Sequence, residues 1–122
     1  MRLRNVPGAR EVMIENEYVF TEPEGMKGTW SQVFGNDNPI RIEIGMGKGT
    51  FITTLAANNP DINYVGIEKY SSVLLRAVEK QDELQLPNLR FIRMDAEVIC
   101  EVFGEGEVDL SLIHISEPTR LL

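Results

Sequence analysis

Ile40-Arg41-Ile42-Glu43-Ile44-Gly45-Met46-Gly47-Lys48-Gly49-Thr50-Phe51 runs from an apolar, β-branched segment through three glycines at alternate positions into a helix-compatible stretch. Strand, glycine turn and helix in that order are how an open α/β sheet shapes a pocket for a nucleotide-like ligand. Gly45, Gly47 and Gly49 let the backbone turn sharply and approach a ligand closely, because no Cβ intervenes. Two familiar identities fail on spacing. A P-loop needs a glycine five residues before its Gly-Lys pair and a hydroxyl residue after it, where this chain has Ile42 and Gly49. A dinucleotide fingerprint needs Gly-x-Gly-x-x-Gly, and here the third glycine comes one residue early.

Downstream, Thr50 to Asn58 carries Phe51, Ile52, Leu55 and Ala56 as an apolar helical stripe, and Asn58-Asn59-Pro60-Asp61 ends it. Asn63 to Glu68 reads as a second buried strand, closed by an acidic residue about twenty positions beyond the glycine turn. A carboxylate there can accept hydrogen bonds from both hydroxyls of a ribose. Ser71 or Ser72 is placed to cap the next helix, whose stripe of Val73, Leu74, Ala77 and Val78 reaches about Leu84, before Leu86-Pro87-Asn88. Leu89 to Met94 is a third strand, and Asp95-Ala96-Glu97 opens a further helix. Asp95 suits an N-cap, and as a carboxylate at a strand end it could also accept from an adenine amino group. Acidic residues thus recur near three strand ends, at Glu43, Glu68 and Asp95, a pattern that favours an adenosine-containing ligand.

Upstream, Asn36-Asp37-Asn38-Pro39 delivers the chain into the first strand, and Pro7-Gly8, Pro23 and Gly25 punctuate what precedes it. Residues 1–35 therefore read as an arm and lead-in appended to the sheet, with a short helix around Trp30 to Phe34 whose two aromatics anchor it. Residues 36–109 form the ligand-binding α/β half-domain. At 122 residues and 43% apolar content the chain can bury one core. No apolar run of about 18 residues or secretory leader is evident, so a cytoplasmic protein with no membrane contact is expected. The lone Cys100 lies in an apolar pattern and reads as a buried small hydrophobe. The net charge of −7 argues against a nucleic-acid binder, yet Arg2, Arg4 and Arg10 make the first ten residues wholly basic and able to touch phosphates.

The pattern Glu43-x-Gly45-x-Gly47-x-Gly49 at a strand end resembles the first motif of class I methyltransferases that use S-adenosylmethionine (SAM). Together with Met1-Arg2-Leu3-Arg4-Asn5, Trp30-Ser31-Gln32-Val33-Phe34-Gly35-Asn36, Tyr64-Val65-Gly66-Ile67-Glu68 and Asp95-Ala96-Glu97, it resembles the bacterial tRNA (guanine-N7-)-methyltransferases over residues 1 to about 109. The resemblance implies a Rossmann-like parallel sheet, here incomplete with its first three to four strands and flanking helices. It implies SAM as cofactor, no metal, and a tRNA substrate methylated at a variable-loop guanine of the guanine-46 type. Carried over by position, it implies SAM contacts at Glu43, Glu68 and Asp95, a methionine end lined by Gly45, Gly47 and Gly49, and tRNA contacts at Arg2 and Arg4. Lys48 would face solvent or substrate.

After Asp109 the sequence departs from the family, which carries Asn-Phe-Ser-Asp-Pro-Trp-Pro following its fourth strand. Leu110-Ser111-Leu112-Ile113-His114-Ile115-Ser116-Glu117-Pro118-Thr119-Arg120 resembles a translated sequencing adapter, so residues 110–122 are expected to be a non-native tail on a truncated, inactive fragment. Glu117 falls where the family has its catalytic Asp, but without the Trp and Pro that follow it; neither Glu117 nor His114 is assigned a role. The apolar alternation from Leu110 can still pair as a fourth strand. Oligomeric state is not legible. The other readings are a non-catalytic SAM- or adenosine-binding module and an NAD-dependent oxidoreductase fragment, which the glycine spacing disfavours.

Overall fold

The computed structural model describes residues 8–113. Arg2, Arg4, His114 and Glu117 lie outside the described residues. The elements in chain order are α1 (Ala9–Glu15), β1 (Val19–Phe20), α2 (Trp30–Phe34), β2 (Ile40–Ile44), α3 (Thr50–Asn58), β3 (Asn63–Glu68), α4 (Ser71–Leu84), β4 (Leu89–Arg93), a 3-10 helix (Ala96–Glu101) and β5 (Leu110–Ile113). The five strands form one sheet in the order β1-β4-β3-β2-β5, with all pairs parallel. From β2 the chain builds outward through β3 and β4, then crosses back to lay β5 on the other side of β2. That reversal beside β2 is the switch point at which open α/β sheets bind ligands, beyond the carboxyl ends of the strands.

β3 is buried along its whole length because helices or loops cover both its faces. Its alternation sorts the cores: Tyr64 packs with α1, α3 and α4 through Met13, Ile52, Leu74, Ala77 and Val78, while Val65 and Ile67 pack with Trp30, Val102 and Phe103 on the opposite face. α4 turns Leu74, Ala77, Val78 and Gln81 inward at helical spacing.

Several local expectations are corrected. Residues 9–34 are built into the body of the protein: β1 pairs with β4, Met13 and Val19 enter one core, and Trp30 enters the other. Two-residue strands and seven-residue helices are too short to show a period, which is why this segment reads as an appendage. Neither Ser71 nor Ser72 is the cap of α4; Tyr70 holds the N-cap position, without a side-chain cap bond. Phe51 is 48% exposed and Thr53 takes its place in the buried stripe of α3. Cys100 is exposed. Its segment winds as a 3-10 helix, whose three-residue turns send Ile99, Val102 and Phe103 toward the core and leave Cys100 outside.

Candidate cofactor site

The glycine turn is tied to the end of β3. Gly45 N and Met46 N both donate to the Ile67 carbonyl, at 2.9 and 3.1 Å, and Gly49 N donates to the Met46 carbonyl at 3.1 Å. Gly45, Gly47 and Gly49 have φ of 74°, 59° and 76°, a left-handed region that side chains with a Cβ avoid, so the alternation of glycines follows from the path of the turn.

Glu68 joins this turn to the next loop. Its Oε1 accepts from Gly47 N at 3.0 Å and its Oε2 from Tyr70 N at 3.2 Å, so one carboxylate holds the two backbone segments that flank the strand end. Both bonds are to a charged acceptor, the stronger class of hydrogen bond. Asp95 caps the 3-10 helix through its Oδ1, which accepts from Glu97 N at 3.0 Å, and its Oδ2 lies 3.9 Å from Lys69 Nζ. The N-cap expected at Asp95 is therefore present.

Between these loops lies a cleft of about 240 Å³ lined by Ile44, Gly45, Ile67, Glu68, Lys69, Tyr70, Met94, Asp95 and Ala96. It has apolar walls and two carboxylates on its polar side, which suits a flat heterocycle attached to a hydroxylated sugar. Gly45, Glu68 and Asp95 meet in this cleft; Glu43, Gly47 and Gly49 do not line it. Glu43 is buried within β2, and because Ile42 and Ile44 pack on the face of Trp30, its side chain takes the opposite face, toward α3. Gly47 reaches the site through its bond to Glu68, and Gly49 supplies the N-cap of α3.

Sequence reasoning missed the anchor of the turn, Met46. Its side chain is buried in the core of α3 and α4, an apolar residue inside a glycine run being the only signal that could have pointed to it. Among the described residues no group of three His, Cys, Asp or Glu side chains could hold a metal, and no helix is long and apolar enough to cross a membrane.

The cleft at the carboxyl ends of β2, β3 and β4 and the glycine turn beside it belong to an open parallel α/β sheet, and the likeness to solved structures makes the fold that of the methyltransferases. A 30S ribosomal A1408 methyltransferase from an uncultured bacterium superposes with a TM-score of 0.59 at 18% identity, over 73% of this chain and 43% of its own. The chain belongs to the Methyltransf_4 family, described as "Putative methyltransferase", which it matches over residues 37–119. It is similar to the tRNA (guanine-N(7)-)-methyltransferase of Lachnoclostridium phytofermentans, 60% identical over 97% of this chain and 55% of the relative. It is also similar to that of Bacillus licheniformis, 45% identical over 97% of this chain and 56% of the relative. The chain thus spans about half the length of the curated relatives it matches.

Proposed function

We propose that this chain is the cofactor-binding part of a SAM-dependent methyltransferase that forms N7-methylguanine in the variable loop of tRNA, and that it acts in the cytoplasm. The observation that carries the reading is the Glu68 carboxylate, set at the end of β3 between the glycine turn and a cleft that Asp95 closes from the far side. In this reading Glu68 accepts from the ribose hydroxyls and Asp95 from the adenine amino group. Glu43 and the turn from Gly45 to Gly49 receive the methionine end, and Arg2 and Arg4 meet tRNA phosphates. Bound SAM supplies a methyl group on a sulfonium. That methyl group would go to the lone pair of guanine N7, and the part of this chain's residues would be to hold the cofactor aligned for it, through Glu68, Asp95 and the turn from Gly45 to Gly49.

The family carries its catalytic Asp in a motif that residues 110–122 do not reproduce. The chain by itself is therefore proposed to bind SAM without transferring its methyl group, with residues 110–122 adapter-derived. Titration of the chain with SAM and, separately, NAD tests the first part. SAM is expected to bind in preference to NAD, and Glu68→Ala to weaken it by about a hundredfold or more, since two charge-assisted bonds are lost. Binding of NAD in preference to SAM would sink the reading. Methylation of tRNA at the rate of a full-length relative would overturn the inactivity, and finding codons 110–122 in the genome would overturn the adapter origin. The second reading, a non-catalytic SAM- or adenosine-binding module, rests on the same cleft and on the same departure after Asp109.

A further inference from the structure

Met46 is the only residue between Gly45 and Gly49 with a buried side chain, and that side chain occupies space two glycines leave open. A Cβ placed on Gly66, in the middle of β3, would overlap Met46 Sδ. One placed on Gly49 would come within 3.0 Å of Met46 Cε and 2.6 Å of the Ala77 Cβ of α4. The backbone of Met46 frames the turn as well. Its N–H donates to Ile67 O and its carbonyl accepts from Gly49 N, both at 3.1 Å, and Gly49 O in turn accepts from Thr53 N at 3.0 Å in the first turn of α3. The thioether is thus locked over β3 and against α4 at the point where the backbone reverses.

We propose that Met46 is a positioning residue for the cofactor: its side chain is the plug that holds the glycine turn in the shape Glu68 completes. This rests on the SAM-binding reading above. Gly66 is then required in β3 chiefly because Met46 Sδ needs the space, with Phe91 Cδ1 and Ile52 Cδ1 standing farther off, 3.3 and 3.4 Å from where its Cβ would lie. A turn of five residues with three glycines pays the largest conformational entropy cost on ordering, and a buried thioether seated before the cofactor arrives lowers what binding must still order. Core filling alone would make Met46 matter to stability and leave the turn's dynamics and SAM affinity in step with it.

The 122-residue chain with SAM as probe separates these cases, with Trp30 fluorescence reporting folding from the opposite core. Met46→Ala is expected to raise the SAM Kd about tenfold, as for a turn that holds its binding shape about a tenth of the time. Met46→Leu, which conserves volume, is expected to stay within about twofold of wild type. Gly66→Ala is expected to weaken SAM binding strongly beside Met46 and to add little in the Met46→Ala background, a non-additivity that marks direct contact. Without cofactor, amide exchange at residues 47–50 is expected to quicken in Met46→Ala while Val65 and Ile67 keep their wild-type rates. The proposal is overturned if folded Met46→Ala binds SAM as wild type does, if Gly66→Ala costs the same in both backgrounds, or if exchange quickens uniformly. Should Met46→Ala not fold, Met46→Val takes its place in the same comparisons. Wild-type chain that binds no SAM overturns the functional reading, and the exchange comparison still decides the role of Met46.

Discussion

Glu107 accepts from three backbone amides that belong to two distant loops. Its Oε1 takes Gly28 N at 2.9 Å and Gly104 N at 2.7 Å, and its Oε2 takes Trp30 N at 3.0 Å. The bond to Trp30 satisfies one of the free amides that open α2, and it helps seat the indole, which stacks on Phe103 at 5.0 Å and donates from Nε1 to Val102 O at 2.9 Å. Glu107→Ala leaves three amides to find water and is expected to destabilise the fold by about 2 kcal/mol. Urea unfolding followed by Trp30 fluorescence measures it, and an unchanged midpoint would mean the loops hold without the carboxylate. Nothing near Glu107 in the sequence marks it, because its partners lie 79 and 77 residues away as well as next to it. Glu68 and Asp95 were legible for the opposite reason. Glu68 ends β3 and Asp95 follows β4 by two residues, and the carboxyl ends of parallel strands are a predictable place for polar side chains. Met46 was hidden, since within a glycine run only its partner across the sheet explains it.

Among elements, β2, α3, β3, α4 and β4 follow directly from hydrophobic period and turn residues; α3 and β3 have the expected bounds, β4 ends one residue early at Arg93, and α4 begins at Ser71, where the sequence suggests a cap. α4 ends on Gln85, which at φ 52° and ψ 49° adopts the left-handed conformation that glycine takes more easily, with its N–H donating to Gln81 O. Gln85→Gly relieves that strain and is expected to stabilise the protein by about 1 kcal/mol, visible as a rise in Tm; a fall would show that the Gln85 side chain contributes more than its backbone costs. The helix end is held from inside as well. Gln81, fully buried, donates to Leu86 O and Leu89 O and accepts from Leu86 N, closing the loop onto β4. The elements sequence reasoning missed, α1 and β1, carry too few residues to show any period; their place is decided by what they bury and not by their own pattern.

For the whole molecule, both cores draw on the segment of residues 9–34. Ala9, Met13 and Val19 help to cover one face of the sheet and Trp30 and Phe20 the other, with Phe20 meeting Trp30 edge-on at 5.5 Å. A chain that starts at residue 36 keeps the glycine turn, Glu68 and Asp95, but exposes Phe91, Ile92 and Phe103 where those residues had packed. It is expected to show no cooperative thermal unfolding transition, as measured by calorimetry. A sharp transition near that of the full chain would show that residues 36–113 are a sufficient unit.

Strand β1 also has a consequence in time. Val19 and Phe20 pair with Phe91 and Ile92 on β4, so a strand made among the first twenty residues has no partner until more than ninety have been joined. During synthesis, at roughly 5–20 residues per second, the emerging chain therefore passes several seconds with β1 made and its partner strand still to come. Closure of this edge is a late, long-range event of the kind that slows folding. The candidate cleft, whose lining runs from Ile44 to Ala96, is complete in sequence at almost the same moment as the edge that supports it.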